Sequence, residues 1–273
     1  MKKILALLFV CVMLFTLAAC GSSAPAATPT PAPTAEPTPE PTPEPTPEPE
    51  PEAQPEEEPA EEEVAVMSYA EYAAAEIDAK VCVETYVQAH QSWWDNKVTV
   101  YAQDQDGAVF IYELACSEED AAKLVPGAKI KVTGYKSVWS GEVEIVDGTF
   151  EFVEGDPFIA QAEDVTALLG TDELIEHQNE FVSFKGMTVE AYDEAGAAFA
   201  YKNDADKTDD LYFKLSKDGN TYDFCVEFYL CGQDTDVYKA VEALEVGQTV
   251  DVEGFLYWYE GANPHVTSIT VAA

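Results

Sequence analysis

Arginine is absent from this 273-residue chain, and all 14 of its basic residues are lysine. Against them stand 52 acidic residues, which give a formal net charge of -38. Arg is the side chain best suited to bidentate recognition of phosphate, and a strongly acidic chain repels phosphate backbones. We therefore expect no nucleic acid partner, and the charge favours basic partners instead.

The sequence is also poor in groups that carry chemistry. Its three histidines, His90, His177 and His265, are far apart and have no carboxylate or cysteine at the spacing of metal ligands. No zinc-peptidase, nucleophile-elbow, phosphate-loop or dinucleotide-glycine motif occurs. Asp104 and Asp106 match part of a calcium loop, but Ala102 stands where the first carboxylate ligand is needed. We therefore expect a protein that is not an enzyme and that holds neither a metal ion nor a cofactor.

The first twenty residues have the pattern of an export signal. Lys2 and Lys3 precede an apolar run at 4–16 that is too short to span a bilayer. The tetrad Leu17-Ala18-Ala19-Cys20 resembles the lipobox of bacterial lipoproteins. The resemblance implies cleavage before Cys20, a diacylglycerol on its sulfur, and a lipid-anchored place on the extracytoplasmic face of the cell membrane. The alternative is an ordinary signal peptide in which Cys20 is incidental.

Residues 20–65 have the composition of a disordered linker. Fourteen of the 17 prolines fall between Pro25 and Pro59, and twelve Glu lie between Glu36 and Glu63. Proline removes backbone donors and holds its neighbours extended, while the carboxylates repel one another. We predict a Pro/Thr/Glu-rich spacer between the signal peptide, residues 1–19, and the folded part of the chain.

An internal repeat divides that folded part into two domains, 66–155 and 156–273. The repeat has a gapless offset of 120 residues, which makes chance similarity an unlikely explanation. The first copy contains Leu124, Gly127, Ile130, Val132, Gly134, Tyr135, Trp139 and Gly141. The second contains Leu244, Gly247, Val250, Val252, Gly254, Phe255, Tyr259 and Gly261.

Each copy has the same order of elements: three strands, a helix and two further strands. Alternating apolar residues predict strands at Lys80–His90, Lys97–Gln103 and His265–Val271, and a further strand is predicted at 222–230. Asp104–Gly107 predicts a hairpin turn, and the last hairpin of the first copy is predicted to close around 137–141. Ser68 and Ser117 are predicted helix caps, and a linking helical segment broken at Gly170 is predicted at 160–177. Small barrels with a helix between the third and fourth strands resemble the OB-fold, a five-stranded Greek-key barrel. The predicted fold class is therefore mainly β, with two OB-like barrels in tandem; another small barrel or a sandwich is the alternative.

Aromatic residues mark the loops that the OB-fold resemblance points to, which follow the first strand and join the last two. Exposed rings on a barrel rim can stack on sugars or grip a peptide. The alternative is that they close the barrel ends or pack the two domains together. The candidate ligand-binding residues are Trp93, Trp94, Tyr135, Trp139, Tyr257, Trp258 and Tyr259.

Four cysteines remain once Cys11 leaves with the signal and Cys20 carries lipid. Export permits one disulfide in each copy, and buried thiols are the alternative. For Cys225 and Cys231 the spacing along one strand favours thiols. The other two are Cys82 and Cys116.

Together these features predict a lipid-anchored extracytoplasmic lipoprotein that binds carbohydrate or a basic protein through aromatic barrel rims, without catalysis. The alternative function is that of a structural or assembly subunit in a cell-envelope complex. In that case the same rims would be buried against fixed partners.

Overall fold

The computed structural model of the protein describes residues 64–202 and 208–272. These residues belong to a single structural unit, Pro59–Ala273. The predicted signal peptide, Cys20 and nearly all of the predicted linker lie outside the described residues. Within the described ranges, no helix is long and apolar enough to cross a membrane.

The first half of the described chain is a closed barrel. Its strands are β1 (Lys80–His90), β2 (Lys97–Gln103), β3 (Ala108–Ala115), β4 (Lys129–Trp139) and β5 (Glu142–Phe152). The strands follow the order β1-β2-β3-β5-β4, and β4 closes the barrel by pairing antiparallel with β1. One neighbouring pair, β3 and β5, is parallel. This is the predicted five-stranded Greek-key barrel.

Two short helices accompany this barrel, and each begins at the predicted cap. Helix α1 (Tyr69–Ala74) starts after Ser68, whose hydroxyl accepts from the Glu71 amide while the Glu71 carboxylate accepts from the Ser68 amide. Helix α2 (Glu118–Ala121) starts after Ser117, whose hydroxyl accepts from the Asp120 amide. These caps satisfy amides that have no partner within the first turn of a helix.

The second half is a closed barrel with the same order. Its elements are β6 (Glu163–Asp164), β7 (Phe181–Glu190), β8 (Phe199–Tyr201), β9 (Leu211–Lys217), β10 (Asn220–Val226), α3 (Asp236–Glu242), β11 (Thr249–Phe255) and β12 (His265–Val271). Strands β7, β11, β12, β10 and β9 form the barrel, which the β7–β9 pairing closes, while β6 and β8 extend its edges. The parallel pair is β10 with β12, the counterpart of β3 with β5. The fold class of two tandem barrels is therefore confirmed.

The repeat is visible in backbone geometry as well as in sequence. Gly127 and Gly247 both have φ of 89°, which favours glycine. Their amides donate 2.8 Å hydrogen bonds to the carbonyls of Val87 and Val189, which occupy equivalent strands of the two barrels. The same turn thus joins helix to strand in each copy.

Three predicted elements differ in the structure. The strand predicted at 222–230 ends at Val226, because the next residues turn and the Cys231 amide donates to the Glu227 carbonyl. The linking segment predicted at 160–177 forms two 3-10 helices, Thr166–Leu168 and Asp172–His177, on either side of Gly170. Strand β4 runs on to Trp139, so the last hairpin of the first barrel is tighter than predicted.

Aromatic packing and hydrogen bonds join the two barrels. Tyr101 and Phe110 of the first barrel form a buried cluster with Phe255 of the second, and the Tyr101 and Phe255 rings stack at 4.6 Å. The Phe181 amide donates to Gln103 Oε1 at 2.8 Å. Because this contact zone includes the middle strands of the first barrel, those strands face the second barrel.

Candidate functional site

A cleft of about 960 Å³ opens where the two barrels meet. The first barrel lines it with the loop after β1 and with residues of β2 and β3, and the second with residues of β9, β10 and the loop before β12. These are the regions of an OB-like barrel that usually bind ligands. The two barrels therefore present equivalent regions to a shared cleft.

Four of the seven candidate aromatic residues line this cleft. Trp94 is 79% exposed, Trp139 is 53% exposed and Tyr259 is 49% exposed. The Trp139 and Tyr259 rings contact each other across the barrel boundary, with centroids 5.3 Å apart. Tyr257 is half-buried deeper in the cleft and stacks on the His265 ring at 4.2 Å. The cleft thus has open rings at its mouth and a packed ring at its floor.

The other three candidate rings lie outside the cleft lining. Trp93 packs on the core of the first barrel, and its Nε1 donates to the Cys116 carbonyl at 2.8 Å. Trp258 is half-buried, with its ring against Gly141. Tyr135 is 43% exposed on β4. Trp93 and Trp258 therefore have the packing role that was the alternative for these rings.

The cleft also contains residues that were not singled out in the sequence. Tyr112 on β3 and Tyr212 on β9 occupy middle strands, which the OB-fold resemblance had indicated as binding surfaces. Tyr229 follows β10 and is 61% exposed; its carbonyl accepts from the Ser92 amide at 2.7 Å. The contact links the loop after β1 to the second barrel, and only the three-dimensional arrangement shows it.

Charged groups in the cleft are largely paired. Lys97 contacts Glu113 at 2.6 Å, a hydrogen bond that raises the lysine pKa and lowers the glutamate pKa. Lys202 contacts the buried Asp210 at 2.9 Å. Glu227 is 9% exposed, and burial followed by the Asp210 charge raises its pKa to about 7. The cleft surface is therefore much closer to neutral than the whole chain.

Three of the four oxygens of the buried carboxylates Asp210 and Glu227 accept hydrogen bonds within the protein. Asp210 Oδ1 accepts from the Phe228 amide at 2.9 Å, and its Oδ2 accepts from Lys202. Glu227 Oε2 accepts from the Leu230 amide at 2.6 Å. These bonds fix the turn after β10 and hold both carboxylates in place.

One group of side chains has the composition of a metal site. His177 Nδ1 lies 2.8 Å from Glu180 Oε2 and 3.9 Å from Glu163 Oε2, and the ligand atoms of all three lie within 4.8 Å of one another. We predicted that no histidine has a carboxylate at the spacing of metal ligands, and for His177 that prediction is wrong. The 2.8 Å contact is that of a hydrogen bond, which accounts for the geometry, and Glu163 is 63% exposed. We assign no metal to this group.

The comparisons with known proteins identify no family. No family model matches the chain, and no curated protein matches it.

Solved structures do match at the level of fold. A murine DNA binding protein bound with ds DNA is 11% identical, with a TM-score of 0.33 over 70% of this chain and 96% of that chain. The p202 HIN1 domain in complex with 12-mer dsDNA is 10% identical, with a TM-score of 0.32 over 75% of this chain and all of that chain. A Replication Protein A heterotrimer bound to ssDNA is 10% identical, with a TM-score of 0.27 over 71% of this chain and 49% of that chain.

These findings contradict the prediction that nucleic acid is excluded as a partner, because each of the three similar structures is described as a DNA complex. The prediction rested on the absence of Arg and on the charge of the whole chain, whereas binding is decided by the local site. Twelve of the 52 acidic residues lie between Glu36 and Glu63, outside the described residues. At these identities and TM-scores the likeness does not indicate what this chain itself binds.

Proposed function

We propose that this protein is a lipid-anchored, extracytoplasmic binding protein that takes a carbohydrate in the cleft between its two barrels and does not transform it. The observation that carries the proposal is the cleft itself. Its size of about 960 Å³ is that of a small-molecule or oligosaccharide site, and both barrels line it with aromatic rings.

The mixture of surfaces in the cleft favours a sugar over other ligand classes. Trp94, Trp139 and Tyr259 expose ring area on which the apolar face of a sugar can stack. The paired charges leave a lining of modest net charge, which suits a neutral ligand with many hydroxyl groups. Asn263 and Thr99 add polar groups that can exchange hydrogen bonds with hydroxyls. A sugar uses both kinds of surface at once.

The arrangement of the carboxylates supports binding without catalysis. Glycoside hydrolysis generally uses two carboxyl groups, one able to donate a proton and one free to act as base or nucleophile. Glu227, whose pKa is raised to about 7, meets the first requirement. The neighbouring carboxylate Asp210 does not meet the second, because it is occupied by Lys202 and by the Phe228 amide. Its role is to fix the cleft wall, and it is not available to attack a glycosidic bond.

The anchor belongs to the proposal through Cys20 and the tetrad that precedes it. A lipidated Cys20 followed by a long extended linker would hold the barrels away from the membrane surface. We expect the wild-type protein to fractionate with membranes and to incorporate an alkyne-tagged fatty acid, and we expect Cys20→Ser to do neither. A Cys20→Ser variant that still pellets with membranes would contradict the anchor without affecting the cleft.

Binding is tested by presenting the full chain to a panel of neutral and acidic glycans and titrating each hit by tryptophan fluorescence. We expect at least one neutral glycan to bind. Trp139→Ala and Tyr259→Ala should each weaken binding at least tenfold, because each removes stacking area at the mouth. Phe152→Ala removes a ring that is 42% exposed on the first barrel but does not line the cleft, and it should bind as wild type does.

The same panel should include basic proteins and single- and double-stranded oligonucleotides. Binding of any of these in place of glycans would overturn the carbohydrate assignment. Membrane crosslinking that recovers fixed protein partners, together with no glycan binding, would instead support an assembly role.

A further inference from the structure

His265 begins β12 at the floor of the cleft and is only 7% exposed. Burial lowers its pKa to about 3, so the imidazole is neutral at physiological pH. A neutral imidazole carries one proton, and the tautomer decides which ring nitrogen donates and which accepts. The hydrogen bonds around His265 determine that tautomer.

The decisive contact crosses the barrel boundary. Tyr101 Oη of the first barrel lies 2.6 Å from His265 Nδ1 of the second. Tyr101 Oη also accepts from Gln91 Nε2 at 3.4 Å. The phenol still has its own proton to donate, and His265 Nδ1 is the acceptor within reach among the described residues. His265 Nδ1 is therefore the acceptor of this bond, and the ring proton is on Nε2.

The Nε2 atom of His265 has no hydrogen-bond partner among the described residues. The fully enclosed side-chain atoms without a partner in the described part of the chain are Tyr72 Oη, Glu142 Oε1 and Asn179 Oδ1. His265 Nε2 is not one of these enclosed atoms, and the residue lines the cleft. Its N–H therefore borders the cleft space. A ligand that fills the cleft displaces water from this donor, and an N–H then left unpaired is costly, which favours a ligand that supplies an acceptor.

The ring that carries this donor is held in place on two sides. Tyr257 stacks on it at 4.2 Å with an interplanar angle of 21°, and Tyr101 packs edge-on at 5.9 Å. Its neighbour in the sheet, Cys225 on β10, is also buried. The donor direction is therefore fixed before a ligand arrives, as preorganised recognition requires.

We propose that His265 is the specificity-determining residue of the cleft, and that its Nε2–H donates to a hydroxyl or ring oxygen of a neutral sugar. The hydrogen bonds from Gln91 to Tyr101 and from Tyr101 to His265 fix the position of the donor proton, and they need residues from both barrels. This inference rests on the proposed function for its ligand class. A fixed, uncharged N–H donates to an oxygen of the ligand and disfavours an ammonium group, which has no acceptor to offer.

The tautomer can be measured without any ligand. In the full chain labelled with ¹⁵N histidine, NMR at pH 7 should show His265 as the neutral Nε2–H tautomer. In Tyr101→Phe the donor to Nδ1 is lost, and we expect the Nδ1–H form to become populated. An Nδ1–H tautomer or an imidazolium at position 265 in the wild-type protein would overturn the assigned hydrogen bond from Tyr101 to His265 and the donor role of Nε2.

Recognition is tested by titrating the same chain with cellohexaose, xylohexaose and mannohexaose. For a hexasaccharide that binds, His265→Phe keeps a ring on Tyr257 but loses the donor, and the Kd should rise about tenfold. His265→Gln keeps an N–H donor and should stay within threefold of wild type. Tyr86→Phe removes a tyrosine hydroxyl outside the cleft, and its Kd should not change.

The outcomes separate the two proposals. Equal affinity of His265→Phe and the wild-type protein would overturn the donor role and leave the binding function intact. Failure of all three hexasaccharides and of the glycan panel to bind wild type would overturn the carbohydrate function, and with it a neutral sugar as the acceptor for His265. The NMR result would still decide the tautomer.

Discussion

Trp139 and Tyr259 occupy equivalent places in the two copies of the repeat, and they contact each other with ring centroids 5.3 Å apart. The next equivalent pair, Ser140 and Glu260, is also in contact, since the Glu260 amide donates to the Ser140 carbonyl at 2.7 Å. The matching hairpins of the two barrels thus meet at one point of the interface. Self-matching contacts of this kind are typical of two-fold interfaces, and they bring equivalent regions of the two barrels to one cleft.

The interface also contains a carboxyl group that is fully buried. The Trp258 amide donates to Glu142 Oε2 at 2.8 Å, and Glu142 has no exposed surface. Burial raises the pKa of Glu142 to about 8 from its ordinary value of 4.5. A group with a raised pKa in the folded state contributes stability that is complete below pH 4.5 and is lost as the pH rises to about 8.

Replacement of Glu142 by Gln should therefore change the pH dependence of stability. Glutamine cannot ionise, so the variant should be more stable than wild type at pH 9 by up to roughly 5 kcal/mol, and the gain should disappear at pH 4. Urea unfolding between pH 4 and 9 measures this. Glu154→Gln, at an exposed position after β5, is the control and should follow wild type at every pH. A Glu142→Gln variant that tracks wild type would show that the buried carboxyl is already ionised at low cost.

The sequence predicted the two barrels well because their signals are local or repeated. Strand alternation gave β1, β2 and β12 with their observed ends, and the caps at Ser68 and Ser117 marked two helices correctly. The repeat also marked Gly127 and Gly247, which form the same turn with positive φ in the two barrels. The 3-10 helices near Gly170 were less predictable, because such short turns have no strong periodic pattern.

Gly254 illustrates what the repeat encodes. A Cβ at this position would lie 2.2 Å from the His265 carbonyl oxygen, where the pairing of β11 with β12 shifts register. We expect Gly254→Ala to lower the free energy of unfolding by about 2 kcal/mol or more, because the backbone of β12 must move. Thermal and urea unfolding measure the loss. Gly232→Ala has its nearest contact at 3.5 Å and should unfold close to wild type. Equal stability of the two variants would contradict the assigned register.

The candidate site was only partly predictable. Aromatic content and the OB-fold resemblance indicated Trp94, Trp139 and Tyr259, because exposed rings in loops are a local feature. Tyr101 and His265 were missed as a pair because they are 164 positions apart in sequence, and only the docking of the barrels joins them. The same docking explains why Trp258, next to two cleft residues, packs against Gly141 instead.

Lys136 fixes helix α1 to the first barrel. It is 6% exposed, and its Nζ donates to the carbonyls of Tyr72, Ala73 and Ala75 at 3.1, 2.8 and 3.0 Å. Lys136→Met should release the helix at a cost of roughly 2 kcal/mol, since it leaves carbonyls at the helix end without a donor. Hydrogen exchange should accelerate across 68–75 while the barrel strands stay protected.

Lys123→Met is the matched control for this variant. Lys123 is half-exposed and pairs with Glu119 and Asp120 on the surface, so its loss should leave exchange at 68–75 unchanged. Unchanged exchange in Lys136→Met itself would mean that packing of Tyr72 is sufficient to hold the helix.

The four cysteines of the barrels are free and buried. This is the arrangement predicted from the sequence as the alternative to one disulfide in each copy. Burial raises the pKa of Cys116 to about 11 and, with the charge of Glu227 as a smaller cause, that of Cys231 to about 11. The reactive form of a thiol is the thiolate, so these groups should react slowly in the folded protein.

At pH 8 we expect iodoacetamide to leave Cys82, Cys116, Cys225 and Cys231 unmodified in the native full chain, as read by peptide mass mapping. In urea all four should label completely without prior reduction. An exposed reference thiol, Thr221→Cys on β10, should label in the native state and show that the reagent is active. A pair that labels in urea only after reduction would reveal a disulfide and contradict the prediction.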